Sequence, residues 1–227
     1  MLGVYVTVPV ACFRKGLARE YWETEVLPPP ATCYGFLLSF VGETQRTRHL
    51  GCRVTAALLS EPDKSVVLRT AWRIKSRQLA MGAGNNRIPA QQELLTGIRL
   101  VVWIDSSEEM EPSPSLEQRV REALVYPERV DRFGGLSFGE STHLVDEVKA
   151  FSDDATRQGT AFLLADRGRL TLPVWVDHVG SAGTRFVTGD LASVPMTAPD
   201  AALLPRIELP ESHTPPSRAR KRSKEQS

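Results

Sequence analysis

VLPPPATCYGFLLSFVGE, residues 26–43, is the stretch on whose reading the fold turns. Pro28, Pro29 and Pro30 keep the approach extended, because each ring fixes φ and biases the residue before it away from the helical region. Behind them Tyr34, Leu37, Leu38 and Val41 recur at i, i+3, i+4 and i+7, one apolar face of a short helix. Thr32 is placed to cap that helix and Gly42 to end it. Upstream, Leu2, Val4, Val6, Val8 and Val10 alternate with Gly3, Tyr5, Thr7 and Pro9, the period of a half-buried strand. Pro9 has no N–H to donate, so the strand ends or becomes an edge there. A charged, aromatic loop, FRKGLAREYWETE (13–25), joins strand to helix.

Downstream, CRVTAALLS (52–60) and SVVLRTAWRI (65–74) read as two strands joined by the turn EPDK (61–64), with Pro62 at the favoured second position. After a long insertion, GIRLVVWID (97–105) supplies another hairpin arm. PSLEQRVREALVYP (114–127) is an amphipathic helix with Leu116, Val120, Ala123 and Leu124 inward. A glycine-dense turn, RFGGLSFGES (132–141), leads to strand-like HLVDEVKAF (143–151), and RLTLPVWVDHV (169–179) is a further strand. The order strand–helix–strand–strand–helix–strand is the split βαβ pattern of ferredoxin-like and RNA-recognition folds, so the expected class is α+β. Residues 1–150 are read as that core with a long hairpin arm over 70–97, and residues 151–205 as a smaller β-rich elaboration. Residues 206–227 are read as a disordered basic tail, plainest from about Pro210.

With 227 residues, 41% of them hydrophobic, the chain can bury a full core. No segment approaches the roughly 18 apolar residues of a membrane span, and the N-terminus opens on a strand without the pattern of a secretory signal. No membrane association is expected. Cys12, Cys33 and Cys52 are odd in number and lack CxxC spacing, which reads as reduced thiols of a cytoplasmic protein. Charge is uneven. Residues 1–104 carry 13 basic and 7 acidic side chains, residues 105–217 carry 10 and 19, and the tail from Arg218 carries 5 and 1. Either a basic half meets a polyanion and an acidic half meets another partner, or two solvated faces differ in charge.

Three stretches are candidates for binding. Between Thr70 and Pro89 lie Arg73, Lys75, Arg77 and Arg87 and no acidic residue. On an extended strand Arg73, Lys75 and Arg77 project to one side, a spacing suited to a phosphate backbone. MGAGNN (81–86) forms the tip, where the amides of Asn85 and Asn86 could meet base edges. The alternative is an ordinary long hairpin with a solvated face. Second, the proline-braced mouth of the first helix, at Pro30 and Thr32, offers N–H groups and a positive dipole end to a phosphate, with Arg14, Lys15 and Arg19 folding over it. A plain strand-to-helix connection is the other reading. Third, Phe133, Gly134, Gly135 and Ser137 allow close backbone approach and contact with ribose, phosphate or a base face, unless the turn has no ligand.

Catalytic constellations are sparse. His49, His143, His178 and His213 have no metal-ligand spacing, so no metal or cofactor is expected. Ser141 and His143 at i,i+2 run parallel rather than meeting as nucleophile and base, and Asp146 and Glu147 fall on opposite faces of a strand. The competing enzymatic reading is a metal-independent endoribonuclease using Tyr34 with His49 or His143.

As a set, LPPPATCYGFLLSFVGE entering the first helix, the long basic insertion, QELLTGIRLVVWID (92–105) and RFGGLSFGES resemble the fifth CRISPR-associated (Cas) family, most closely its DevS-type branch. The resemblance covers about residues 1–180. It implies a repeat-associated RNA-binding (RAMP) protein with a ferredoxin-like core, a subunit of a type I Cascade complex that holds the 5′ handle of the guide CRISPR RNA. It implies that the hairpin, or thumb, caps the first backbone subunit, and that the large subunit, with target DNA nearby, is a further partner. Pro30 and Thr32 would then face the handle, Arg73 to Arg87 would form the thumb and Phe133 to Gly139 the glycine loop. One branch of the family cuts precursor RNA with a tyrosine and an adjacent lysine and histidine. Here no lysine is followed by a histidine, which implies a non-catalytic subunit served by a separate nuclease.

Overall fold

The computed structural model describes residues 1–16, 21–72, 74–110, 113–179 and 182–210. In β1 (Leu2–Ala11) alternation puts Val4, Val6 and Val8 on one fully buried face. β5 (Arg87–Asp105) runs antiparallel to it, with Val4 opposite Val102 and Val6 opposite Leu100. β6 (Glu147–Ala150) pairs with the other edge of β1, and β3 (Arg53–Leu58) with the far half of β5. The sheet continues through β7 (Asp154–Leu164), β9 (Arg185–Met196) and β8 (Leu170–Trp175), giving the order β6-β1-β5-β3-β7-β9-β8. β2 (Tyr21–Trp22) and β4 (Asp63–Trp72) pair with β5 outside that row.

Two helices cover one face of the sheet. α1 (Pro30–Phe40) follows β1, and α2 (Leu116–Val125) follows β5; their apolar sides meet the valines of β1 in one core. α2 forms where the sequence places an amphipathic helix, and it starts on a cap that the sequence reading did not name. The Ser115 hydroxyl accepts from the Gln118 N–H while the Gln118 side chain accepts from the Ser115 N–H, a reciprocal capping box. The opposite face buries Ala57, Val101, Trp103 and Ala161 against Met196 and Leu204. That period-2 split is why GIRLVVWID is apolar without interruption from residue 100 to 104.

α1 starts differently from its sequence reading. Pro29 is the N-cap and Pro30 the first helical residue, so Thr32 lies inside the first turn and its side chain caps nothing. Proline suits this place because its φ is helical and its missing N–H would have had no helical partner. The far end matches expectation: Gly42 has φ +69°, its N–H donates to Ser39 O, and the Glu43 N–H donates to Leu38 O, a Schellman closure. A Cβ at Gly42 would stand 2.1 Å from Asp131 O, so packing as well as φ excludes other residues.

EPDK is not a hairpin turn. β3 and β4 do not pair with each other; both lie along β5, β3 opposite residues 100–105 and β4 opposite residues 87–96. The chain runs on through Leu59–Pro62, where the Leu59 N–H donates to Arg99 O and Gly97 opposite takes φ +68°. The result is one long bent ribbon. Its outer half, β4 with residues 87–96, projects as the arm, and residues 74–86 form the tip.

The head of the expected tail is tied down. Ile207 is fully buried, its N–H donates to Cys52 O, and its carbonyl accepts from Gly51 N–H. Residues 211–227, which hold the rest of that expectation, lie outside the described residues.

Candidate nucleic-acid interface

The glycine loop is pinned by one ring and presents another. Phe138 is fully buried, stacked on Phe36 of α1 with centroids 4.5 Å apart and edge-on to Phe13 at 5.7 Å. His143 Nδ1 accepts from the N–H groups of Cys12 (3.2 Å) and Glu140 (3.1 Å), joining the loop to the end of β1. Burial lowers the pKa of this ring, in keeping with its acceptor role. Gly139, at φ +106°, would place a Cβ only 3.0 Å from Cys12 O. Phe133, at the other end of the loop, is wholly exposed; Gly134 and Gly135 are exposed and Ser137 is half-buried.

From this loop Glu140 reaches the middle of the arm. Its carboxylate accepts from Arg69 Nη1 of β4 (3.2 Å) and from Gln92 Nε2 of β5 (2.9 Å), and Arg69 also donates to the Gln92 carbonyl. The Arg69 guanidinium lies 4.8 Å from the centroid of Trp22, and that of Arg14 lies 4.3 Å from it. The loop carrying both Arg14 and Trp22 folds back on itself, since Lys15 N–H donates to Glu23 O and Glu25 N–H to Phe13 O. Glu93 fixes it from β5, accepting from Thr24 N–H (3.0 Å), Tyr21 hydroxyl (3.1 Å) and Lys64 (3.1 Å). The Thr24 N–H foremost, then Lys64 and Tyr21, hold that carboxyl below its usual range. Arg14 and Lys15 are exposed here; Arg19 lies outside the described residues.

At the tip Lys75, Arg77 and Asn85 are exposed, as is Arg87 at the start of β5. Lys75 and Arg77 do not alternate on a strand, because β4 ends at Trp72 and the chain turns; Arg73 lies outside the described residues. Asn86 faces inward. Its Oδ1 accepts from the N–H groups of Lys75 and Ser76, and its Nδ2 donates to the carbonyls of Ser76 and Leu79 at 2.8 Å and of Ala80 at 3.2 Å. This amide organises the loop and is not turned toward a base.

The helix mouth is poorer in donors than expected. Pro30 is buried and has no N–H, and those of Thr32 and Cys33 both donate to Pro29 O. Thr32 nonetheless shares a cleft of about 300 Å³ with Ser137 and Gly139, so the mouth and the glycine loop are neighbours.

Of the competing catalytic set, Tyr34 donates its hydroxyl to Arg46 O at 2.7 Å, and burial pushes its pKa up. His49 is buried between Glu109 (3.0 Å) and Arg119 (3.1 Å). Since Arg119 can only donate, His49 Nε2 accepts and the Nδ1 proton faces Glu109. Trp22, Arg69, Gln92 and Glu140 escaped sequence reading because the contacts that assemble them, Trp22 to Arg69, Gln92 to Glu140 and Arg69 to Glu140, span 47, 48 and 71 residues, which no local spacing encodes.

No family model matches the chain. Its backbone is similar to that of a chain from a CRISPR RNA-guided surveillance complex, with a TM-score of 0.58 at 12% identity, covering 88% of this chain and 91% of that one. In fold, then, it is like a component of a CRISPR assembly. In sequence it is 54% identical over 212 residues to the CRISPR-associated protein Cas5 of Myxococcus xanthus (strain DK1622), covering 93% of this chain and 99% of that protein. The chain belongs to the Cas5 family.

Proposed function

We propose that this protein is a non-catalytic RNA-binding subunit of a type I Cascade complex, working in the cytoplasm. In this reading it caps the 5′ handle of the guide RNA and touches the backbone and large subunits near target DNA. Family membership and the likeness to a surveillance-complex chain support the setting. The antiparallel order β6-β1-β5-β3 with both helices on one face supports a ferredoxin-like core, with the β4–β5 arm as its thumb.

One observation carries the RNA reading: the arm, the loop after β1 and the glycine loop, far apart in sequence, meet through Arg14, Trp22, Arg69 and Glu140. Farther along the arm its tip carries exposed cations, and the glycine loop carries the exposed ring of Phe133. Guanidinium and ammonium groups position a phosphate chain, and a bare ring stacks on an unpaired base. Tyr34, with its hydroxyl engaged and its pKa raised, makes a poor nucleophile or acid–base group at neutral pH, which supports holding without cutting.

Replacing Lys75, Arg77 and Arg87 together with Ala tests the arm. Binding of single-stranded repeat RNA is expected to weaken, and its dependence on log salt to flatten by roughly 2, about 0.7 for each lost phosphate contact. An unchanged affinity and slope would remove the arm from the interface. Incubation of the protein with repeat RNA in EDTA is expected to leave the RNA whole; a single cut abolished by Tyr34→Phe would overturn the non-catalytic reading.

A further inference from the structure

Beside α1 two clefts, of about 300 and about 640 Å³, meet at Gly35, Ser39, Arg46 and His178. Their size is that of small-ligand sites, roughly 300–1,000 Å³. One wall is the glycine loop, through Ser137 at the inner end and Phe133 at the outer. The other is the end of β8. There the Arg46 guanidinium lies 4.3 Å from the centroid of Trp175, held by a hydrogen bond from Nη2 to Val176 O at 3.0 Å. An arginine laid on an indole is a flat, cationic platform, the kind of surface on which a nucleobase stacks.

The floor of the cleft points the same way. Glycine is disfavoured in mid-helix, and Gly35 has no positive φ to require it. Nor does packing, since a Cβ there would meet nothing within 4 Å. The missing side chain therefore leaves open space above the helix that none of the described residues occupies. Thr32, Ser39 and Ser137 supply hydroxyls around that space. Glu43 and Asp131 line its outer part together with Arg132, so charges of both signs meet there, and the flat Arg46–Trp175 platform rather than a cluster of one sign defines the occupant as a ring.

We propose that this cleft is a nucleobase pocket, in which one unstacked base of the bound RNA lies over Gly35 against the Arg46–Trp175 pair. It rests on the RNA-binding reading above and adds to it a single position at which the base itself is gripped.

The test is fluorescence anisotropy of the full chain with labelled single-stranded repeat RNA, and with the same RNA made abasic at each nucleotide in turn. Gly35→Leu fills the cleft while removing nothing, so its Tm is expected to match or exceed the parent's. Its affinity is expected to fall about tenfold, within the range of one lost base stack. Arg46→Lys, which keeps the charge and loses the plane, is expected to weaken binding as well. One abasic position should cost the parent the same factor and cost Gly35→Leu nothing further. If the parent binds and both variants bind equally well, or if every abasic RNA costs parent and variants alike, the pocket is overturned and the wider RNA reading stands. If the parent binds no repeat RNA at moderate salt, both fall together.

Discussion

Asn86 shows how one buried amide can shape an exposed arm. Its five hydrogen bonds reach backbone groups at Lys75, Ser76, Leu79 and Ala80, closing a loop whose large apolar side chains, Ile74, Leu79 and Met81, remain exposed. Removing a buried polar partner of this kind costs about 1–3 kcal/mol, here confined to a segment outside the core. Asn86→Ala is accordingly expected to speed tryptic cleavage after Lys75 and Arg77 by about tenfold or more while shifting Tm by less than about 2 °C. Equal proteolysis rates in parent and variant would show that the tip is held by other means. The sequence marked MGAGNN as a turn correctly, but not which of two adjacent amides turns inward. That depends on three carbonyls converging from across the loop, which composition does not carry. Thr32 failed for a related reason: a good capping residue loses its place when a proline just before it already starts the helix.

At the scale of elements, the end of α1 is joined to α2 by charge. Glu43, third residue past the helix, pairs with Arg119 and with Arg48 (3.1 Å), and Arg119 also donates to Val41 O. Burial by itself would raise the Glu43 pKa, but the Gln45 N–H and the two guanidinium groups outweigh it and bring it to about 2. An unfolded glutamate titrates near 4.3, so the folded carboxyl is the stronger acid. Its contribution is complete above about pH 5 and is lost as pH falls through 4 toward 2. In urea unfolding at pH 7, 5 and 3, Glu43→Gln is expected to be less stable than the parent at pH 7 and to lose less on acidification. Parallel losses in the two proteins would exclude this linkage. Both helices and the strands of the inner row were legible in the sequence, β1 by its alternation, α2 by its single apolar face, and α1 and β5 by dense apolar runs. The continuity of β3 into β4 was not. Pro62 in a polar tetrapeptide reads as a turn, and only the nineteen residues of β5 offer a partner long enough to carry both strands. β7 and β9 also went unread, since half of their side chains, Phe186 and Leu191 among them, remain exposed and blur the alternation.

Over the whole molecule, the basic and acidic halves of the sequence do not fold into two separate bodies. Arg69 of the first half pairs with Glu140 of the second, Arg53 with Glu108, and Glu43 of the first with Arg119 of the second. What draws the distant segments together is apolar: Phe13 after β1, Phe36 in α1 and Phe138 in the glycine loop share one aromatic cluster. The two phenylalanines of that loop should therefore separate stability from binding. Phe138→Ala empties a fully buried ring site and is expected to cost about 3–5 kcal/mol, a large share of the roughly 5–15 kcal/mol that holds a domain of ordinary stability. Phe133→Ala, five residues earlier and wholly exposed, is expected to leave stability within about 0.5 kcal/mol. Its affinity for single-stranded repeat RNA should nevertheless fall about fivefold or more, the lower end of a lost stacking contact. Denaturant melts and anisotropy on the same two preparations decide the matter. An exposed ring whose loss changes neither quantity would leave the glycine loop as a purely structural clasp between α1, the end of β1 and the middle of the arm. A Phe138→Ala protein as stable as the parent would show that the three segments converge without their shared ring.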